Sequence, residues 1–159
     1  MMKTAPRYFR LAALAAIAAI AAMVPGSPGL AGSALPQHTS LTVTITGIKS
    51  SKGVIRLAVC PPQAGFPECK ERVVSTSDLT ITNGTAHTVL TGLAPGSYAI
   101  SVFHDANANG KLDTFAGIPR EGYGFSANPG FKPRAPRFDE AKIELTGSEA
   151  TEIKMRYIL

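Results

Sequence analysis

The sequence predicts an all-β fold, a single antiparallel β-sandwich of about seven strands behind an N-terminal signal peptide. Three observations carry this expectation. Short runs in which apolar and polar residues alternate recur along the chain, as they do in strands with one buried face. Gly, Pro and Asn punctuate those runs at close intervals. No segment after the leader repeats apolar residues with a helical period.

The leader comes first. Lys3, Arg7 and Arg10 precede an uninterrupted apolar run from Leu11 to Val24. Fourteen residues are too few for a comfortable membrane span, and the small residues at Gly29-Leu30-Ala31 and Gly32-Ser33-Ala34 suit a signal peptidase. Cleavage is expected after Ala34, which makes residues 1–34 a signal peptide and 35–159 one domain. No cysteine stands near that point, so no lipid anchor is expected. No later run is apolar enough for a transmembrane anchor in the mature chain. The protein is expected to be exported, either periplasmic or secreted.

Export also changes the charge. Sixteen Lys and Arg against eleven Asp and Glu give the whole chain a net +5. Three of those bases leave with the leader and no acid does, so thirteen bases face eleven acids, a net of +2. The remaining bases are scattered singly, with no basic face and no aromatic platform, so no nucleic acid is expected as a partner.

The elements follow in order. Leu41, Val43 and Ile45 alternate with Thr42, Thr44 and Thr46, a strand with one apolar and one hydroxyl-bearing face. Ser50-Ser51-Lys52-Gly53 reads as a hairpin loop, after which Ile55, Leu57 and Val59 form the inward face of a second strand. Cys60 and Cys69 then bracket a segment with three prolines. In an oxidising compartment they should pair, and closing so short a loop restricts the unfolded chain by roughly 2.5–3 kcal/mol. A short β-branched run spans Arg72 to Thr76, and Asn83-Gly84 separates two further runs between Leu79 and Leu90. Asn-Gly supplies the two positive φ angles of a type I′ hairpin turn. The last two strands are expected at Lys142 to Thr146 and Thr151 to Ile158, joined at Gly147-Ser148.

Between them lies the most distinctive stretch. Ala94-Pro95-Gly96 reads as a turn, and Tyr98, Ile100 and Val102 form the bulkier face of the strand that follows. From Asp105 to Asp139 there is little periodicity, which makes a thirty-five-residue connection of functional appearance, with Tyr123, Phe125, Phe131 and Phe138 to fold it down. At its start, His104-Asp105-Ala106-Asn107-Ala108-Asn109-Gly110-Lys111-Leu112-Asp113 places oxygen-bearing side chains at alternate positions and then a glycine. A hard cation needs six to eight oxygens, and this spacing directs Asp105, Asn107, Asn109, the Lys111 carbonyl and Asp113 inward. Counting from Asp105, the position of the bidentate carboxylate is Ala116, so an EF-hand is excluded. Two readings stay open. Either Asp105, Asn107 and Asn109 form Asx turns, or the loop holds calcium with Glu121 as a further ligand.

HDANANGKLDTFAGIPREGYGFS, followed by Ala135-Pro136-Arg137-Phe138-Asp139-Glu140-Ala141, resembles the DUF2141 family of bacterial exported proteins, with their HDxNxNGKLD, GxPxEGYGFS and PxFxxA segments. The resemblance covers roughly Thr39 to Leu159 and implies export but no assigned activity. GLAPGSYAISVFHDANANGKLD is also similar to the turn, strand and loop of prealbumin-like sandwich modules, including carboxypeptidase regulatory domains and the B-type repeats of bacterial surface proteins. Some of those repeats bind calcium through a related loop. A prealbumin-like or immunoglobulin-like sandwich is therefore expected. The family often carries a further Asn or Asp where this chain has Phe115-Ala116.

Candidate chemistry is sparse. His104 and Asp105 are adjacent, but neighbours on a strand point to opposite faces, and His104 falls on the core face with Tyr98. Glu121 is a candidate either for a metal site or for an ion pair with Arg120, Arg134 or Arg137. Gly124-Phe125-Ser126-Ala127-Asn128 is not a nucleophile elbow. The expected function is that of a non-catalytic binding or accessory module of the cell envelope. It would present loop 105–139, with Arg120, Tyr123 and Phe125 as binding surface, to an envelope protein, peptide or glycan. The alternatives are a calcium-stiffened structural module and a periplasmic hydrolase using His104, Asp105 or Glu121.

Overall fold

A computed structural model describes residues 39–159; the leader, its cleavage point after Ala34 and the lead-in before Thr39 lie outside the described residues. Ten strands follow one another: β1 (Ser40–Thr46), β2 (Val54–Cys60), β3 (Ser75–Leu79), β4 (Ala86–Thr91), β5 (Gly96–Asp105), β6 (Thr114–Phe115), β7 (Ile118–Pro119), β8 (Tyr123–Phe125), β9 (Lys142–Leu145) and β10 (Ser148–Lys154). A 3-10 turn at Lys70–Arg72 and a one-turn helix, α1 (Phe138–Ala141), complete the elements. The chain is all-β, as its alternation predicts.

Eight of the strands form a three-stranded sheet in the order β10-β1-β4 and a five-stranded sheet in the order β3-β2-β5-β8, with β9 also paired to β5, while β6 and β7 pair only with each other. Each sheet turns one face to a common core. Leu41, Val43 and Ile45 of β1 meet Ile55, Leu57 and Val59 of β2, Tyr98, Ile100 and Val102 of β5, Leu145 and Ile153. The opposite face of each alternating strand stays outside the core, which is what the period-2 pattern requires.

Three pairings differ from the sequence expectation. The sheets are not purely antiparallel: β10 lies parallel to β1, with Val43 opposite Thr151 and Ile45 opposite Ile153. β9 and β10 are also not a hairpin, because β9 joins β5 in the larger sheet while β10 crosses to the smaller one. Asn83 and Gly84 do take φ of 50° and 74°, as a type I′ turn needs. Their hairpin, however, is a single bridge between Thr82 and Thr85, after which β3 and β4 enter different sheets. Core burial overrides local turn chemistry in each case, since both sheets must receive a share of the apolar faces.

The expected thirty-five-residue connection is itself structured. It contains β6, β7, β8 and the start of α1. β8 pairs with residues 101–103 of β5 and β9 with residues 96–99, on the same edge. Buried Ser126 bridges the gap between them. Its amide donates to the Ile100 carbonyl (3.0 Å), its hydroxyl accepts from the Ile100 amide (2.8 Å), and the same hydroxyl donates to the Ala141 carbonyl.

Candidate functional site

The outer face of the larger sheet carries a groove that Tyr123 and Phe125 line, with the predicted calcium-loop segment and the disulfide loop beside it. Registers place side chains in two rungs across four strands. Asp78, Arg56, Phe103 and Tyr123 stand opposite one another in the first, and Thr76, Ala58, Ser101 and Phe125 in the second. Four strands at about 4.8 Å spacing make that floor roughly 14 Å across. The small side chains of Ala58 and Ser101 keep its centre low. The resulting groove, of about 1300 Å³, is larger than most small-molecule sites.

Two loops wall it. On the first-rung side stands the segment 105–121. The Asp105 side chain, fully buried, accepts from Arg56 Nε (2.6 Å) and the Gly110 amide (2.8 Å) at Oδ2, and from the Asn109 amide (2.9 Å) at Oδ1. Arg56 Nη1 reaches both oxygens of Asp78, at 3.1 and 2.9 Å. Burial pushes the Asp105 carboxyl up, but the guanidinium and the two amides outweigh burial, and the carboxyl sits below its ordinary range. Asp105 therefore ties the loop to the sheet while charged.

Glu121 closes the same loop. Its two oxygens accept from the amides of Ala106 (2.9 Å) and Asp113 (3.0 Å), fifteen and eight residues away in sequence. The expected ion pair with Arg120, Arg134 or Arg137 is not made; Arg134 pairs with Glu140 at 2.8 Å. Asn107 and Asn109 accept from the amides two residues on, at 3.1 and 2.8 Å, which are Asx turns. Their amide nitrogens donate to Asp113 at 2.8 and 3.0 Å. Lys111 contributes its amide to Asn109. Among the described residues, no three His, Cys, Asp or Glu side chains gather as metal ligands.

Ala116 explains why the calcium spacing breaks. It and Gly117 have φ of 50° and 79° and form the two-residue turn between β6 and β7, with Phe115 opposite Ile118. A turn residue stands where an EF-hand has its last ligand.

The other wall is the disulfide loop. Cys60 and Cys69 are bonded, with Cα atoms 5.8 Å apart. Ser101 Oγ donates to the Pro67 carbonyl at 3.0 Å, and Phe66 packs edge-on against Phe125 (5.7 Å) and Phe138 (6.5 Å). Tyr123 and Phe125 line the groove. Arg120 is exposed away from it and acts through its backbone, donating to the Asp113 carbonyl.

Residues 43–154 match the model of a family described as an uncharacterized protein conserved in bacteria, DUF2141. The chain belongs to that family. No curated protein and no solved structure matches it.

In this DUF2141 chain the His104–Asp105 pair does not converge, because the two side chains leave opposite faces of β5. A carbonyl only accepts, so His104 Nε2 carries the hydrogen donated to Lys52 O (2.7 Å) and Nδ1 accepts from the Tyr157 hydroxyl (2.9 Å). Both nitrogens are engaged in the buried interior. Sequence reasoning passed over the floor residues Arg56, Ala58, Ser101 and Phe103 and the rim residue Lys132, and it named the rim residues Phe131 and Arg134 in other roles. An outward Phe103 on a strand with a complete inward face was the available signal.

Proposed function

We propose that the protein is an exported, non-catalytic binding or accessory module of the bacterial cell envelope, built as one sandwich, whose groove takes a ligand or partner segment. One observation carries this reading: the two loops that interrupt the strand pattern, 105–121 and 60–69, wall the same groove. A pairing of Cys60 with Cys69 suits an oxidising compartment. Among the described residues no helix is long and apolar enough to cross a membrane. Ala58→Trp tests the groove, since it fills the centre of the floor without touching the core. Nile red, a neutral apolar dye, should brighten with the wild type and stay dim with the variant. Equal emission from both overturns the reading.

A second reading, calcium stiffening, draws on Asp105, Asn107, Asn109, Asp113 and Glu121 all closing one loop, where a cation would take the place of the N–H donors their oxygens now accept from. Calcium at a hundred times its dissociation constant should add about 2.7 kcal/mol of stability. Thermal unfolding in EDTA and in calcium should then differ by several degrees, a difference that Asp113→Asn abolishes. Superimposable curves sink it.

A further inference from the structure

We infer that the groove's ligand is an amphipathic acid, with an extended apolar body across the sheet and an anionic head among Lys132, Arg134 and Arg156. This rests on reading the groove as the binding site. At the β8 end a smaller hollow opens off it, sharing Tyr123, Phe125, Phe131, Lys132 and Arg134 and adding Arg156 and Glu140. Three cations there face one carboxylate. Glu140 accepts from Lys132, from both Arg134 nitrogens and from the Arg137 amide, so its oxygens are fully taken. Arg156 donates to the Pro129 carbonyl and, among the described residues, pairs with no carboxylate. The β3 end has the opposite sign, because the single cation Arg56 is held between two carboxylates, Asp78 and Asp105. An anion in the groove is therefore drawn toward β8.

The body has its own partners. Phe103, Tyr123 and Phe125 give the floor aromatic surface, and the rim exposes Phe131 (67%), Ile118 (41%) and Ile158 (44%). Large apolar side chains exposed around one concavity mark a surface that something apolar covers.

Displacement of Nile red from the oxidised domain, residues 35–159, by dodecanoate and by dodecyltrimethylammonium, both below micelle formation, tests the charge and the chain separately. Dodecanoate should displace the dye at a concentration about tenfold lower than the ammonium compound, and added salt should narrow the gap. Lys132→Glu should weaken dodecanoate about fivefold while leaving the ammonium compound unchanged or tighter. Phe131→Ala, at an exposed site, should weaken both. Thermal unfolding of each variant confirms that it is folded. Equal displacement by the two compounds, or no response to Lys132→Glu, overturns the acidic head while leaving the groove as a binding site. If the dye does not bind the wild type, both readings fall together.

Discussion

At the scale of the residue, Asp105 is a fully buried carboxylate that holds a loop to the sheet. It accepts from Arg56, Asn109 and Gly110 together. Asparagine offers one acceptor oxygen in place of two, so Asp105→Asn leaves at least one of those donors unpaired. A loss of about 2–3 kcal/mol at neutral pH is expected, read by urea unfolding. The carboxyls of Asp105 and Glu140 are both held below their ordinary range, Asp105 despite burial and Glu140 chiefly by Arg134 and Lys132. A depressed folded-state pKa stabilises above the unfolded value, and the contribution is lost as pH falls through the folded one. Stability should therefore hold above the ordinary carboxylate range, near pH 4, and fall below it. The fall should be shallower in Asp105→Asn, and identical slopes would deny Asp105 its part. Gly53 is similarly fixed: with φ of 72°, an added Cβ would lie 1.9 Å from the Asp105 carbonyl oxygen. The spacing offered backbone amides as partners for Asp105 but not the guanidinium, because Arg56 lies forty-nine residues away in sequence on the paired strand β2.

At the scale of the element, β8 and β9 are too short to hold β5 separately, and Ser126 joins them. Ser126→Ala removes the acceptor of the buried Ile100 amide and the donor to the Ala141 carbonyl. The expected cost is about 2 kcal/mol, with faster hydrogen exchange confined to the Ile100 region. Unchanged exchange there would show that the hydroxyl is dispensable. The disulfide loop is an element of a different kind, held by the Cys60–Cys69 bond and by Phe66 on Phe125. Reducing the bond should lower stability by about 2.7 kcal/mol in the chain-entropy model. Nile red emission should also drop, since the wall loosens, and a drop in stability without a change in emission would separate the bond from the groove.

At the scale of the whole molecule, the core needs both ends of the described chain. β10 packs in parallel on β1 and brings Ile153 and Met155 inside, and Tyr157 beyond it bonds to His104. A protein ending at Gly147 is expected to be unfolded, as judged by the loss of dispersed amide resonances. A dispersed spectrum would show that β1 and β4 suffice for the smaller sheet. Burial also accounts for Tyr157, whose phenol it pushes above its usual pKa. Among the described residues, no buried side-chain nitrogen or oxygen lacks a hydrogen-bond partner.

The alternation of Leu41, Val43 and Ile45, of Ile55, Leu57 and Val59, and of Tyr98, Ile100 and Val102 determined which faces are buried. Period-2 patterning is local, and water enforces it wherever the strand ends up. The positive φ angles at Asn83-Gly84 and the pairing of two neighbouring cysteines were readable for the same reason, since backbone sterics and short separations decide them. Only the tertiary structure decided which strands meet. The parallel β1–β10 pair, the separation of β9 from β10 and the arrival of Arg56 beside Asp105 depend on how two sheets share one core. The groove is a product of that choice, because its floor joins residues from four strands and its walls come from loops that no local pattern connects.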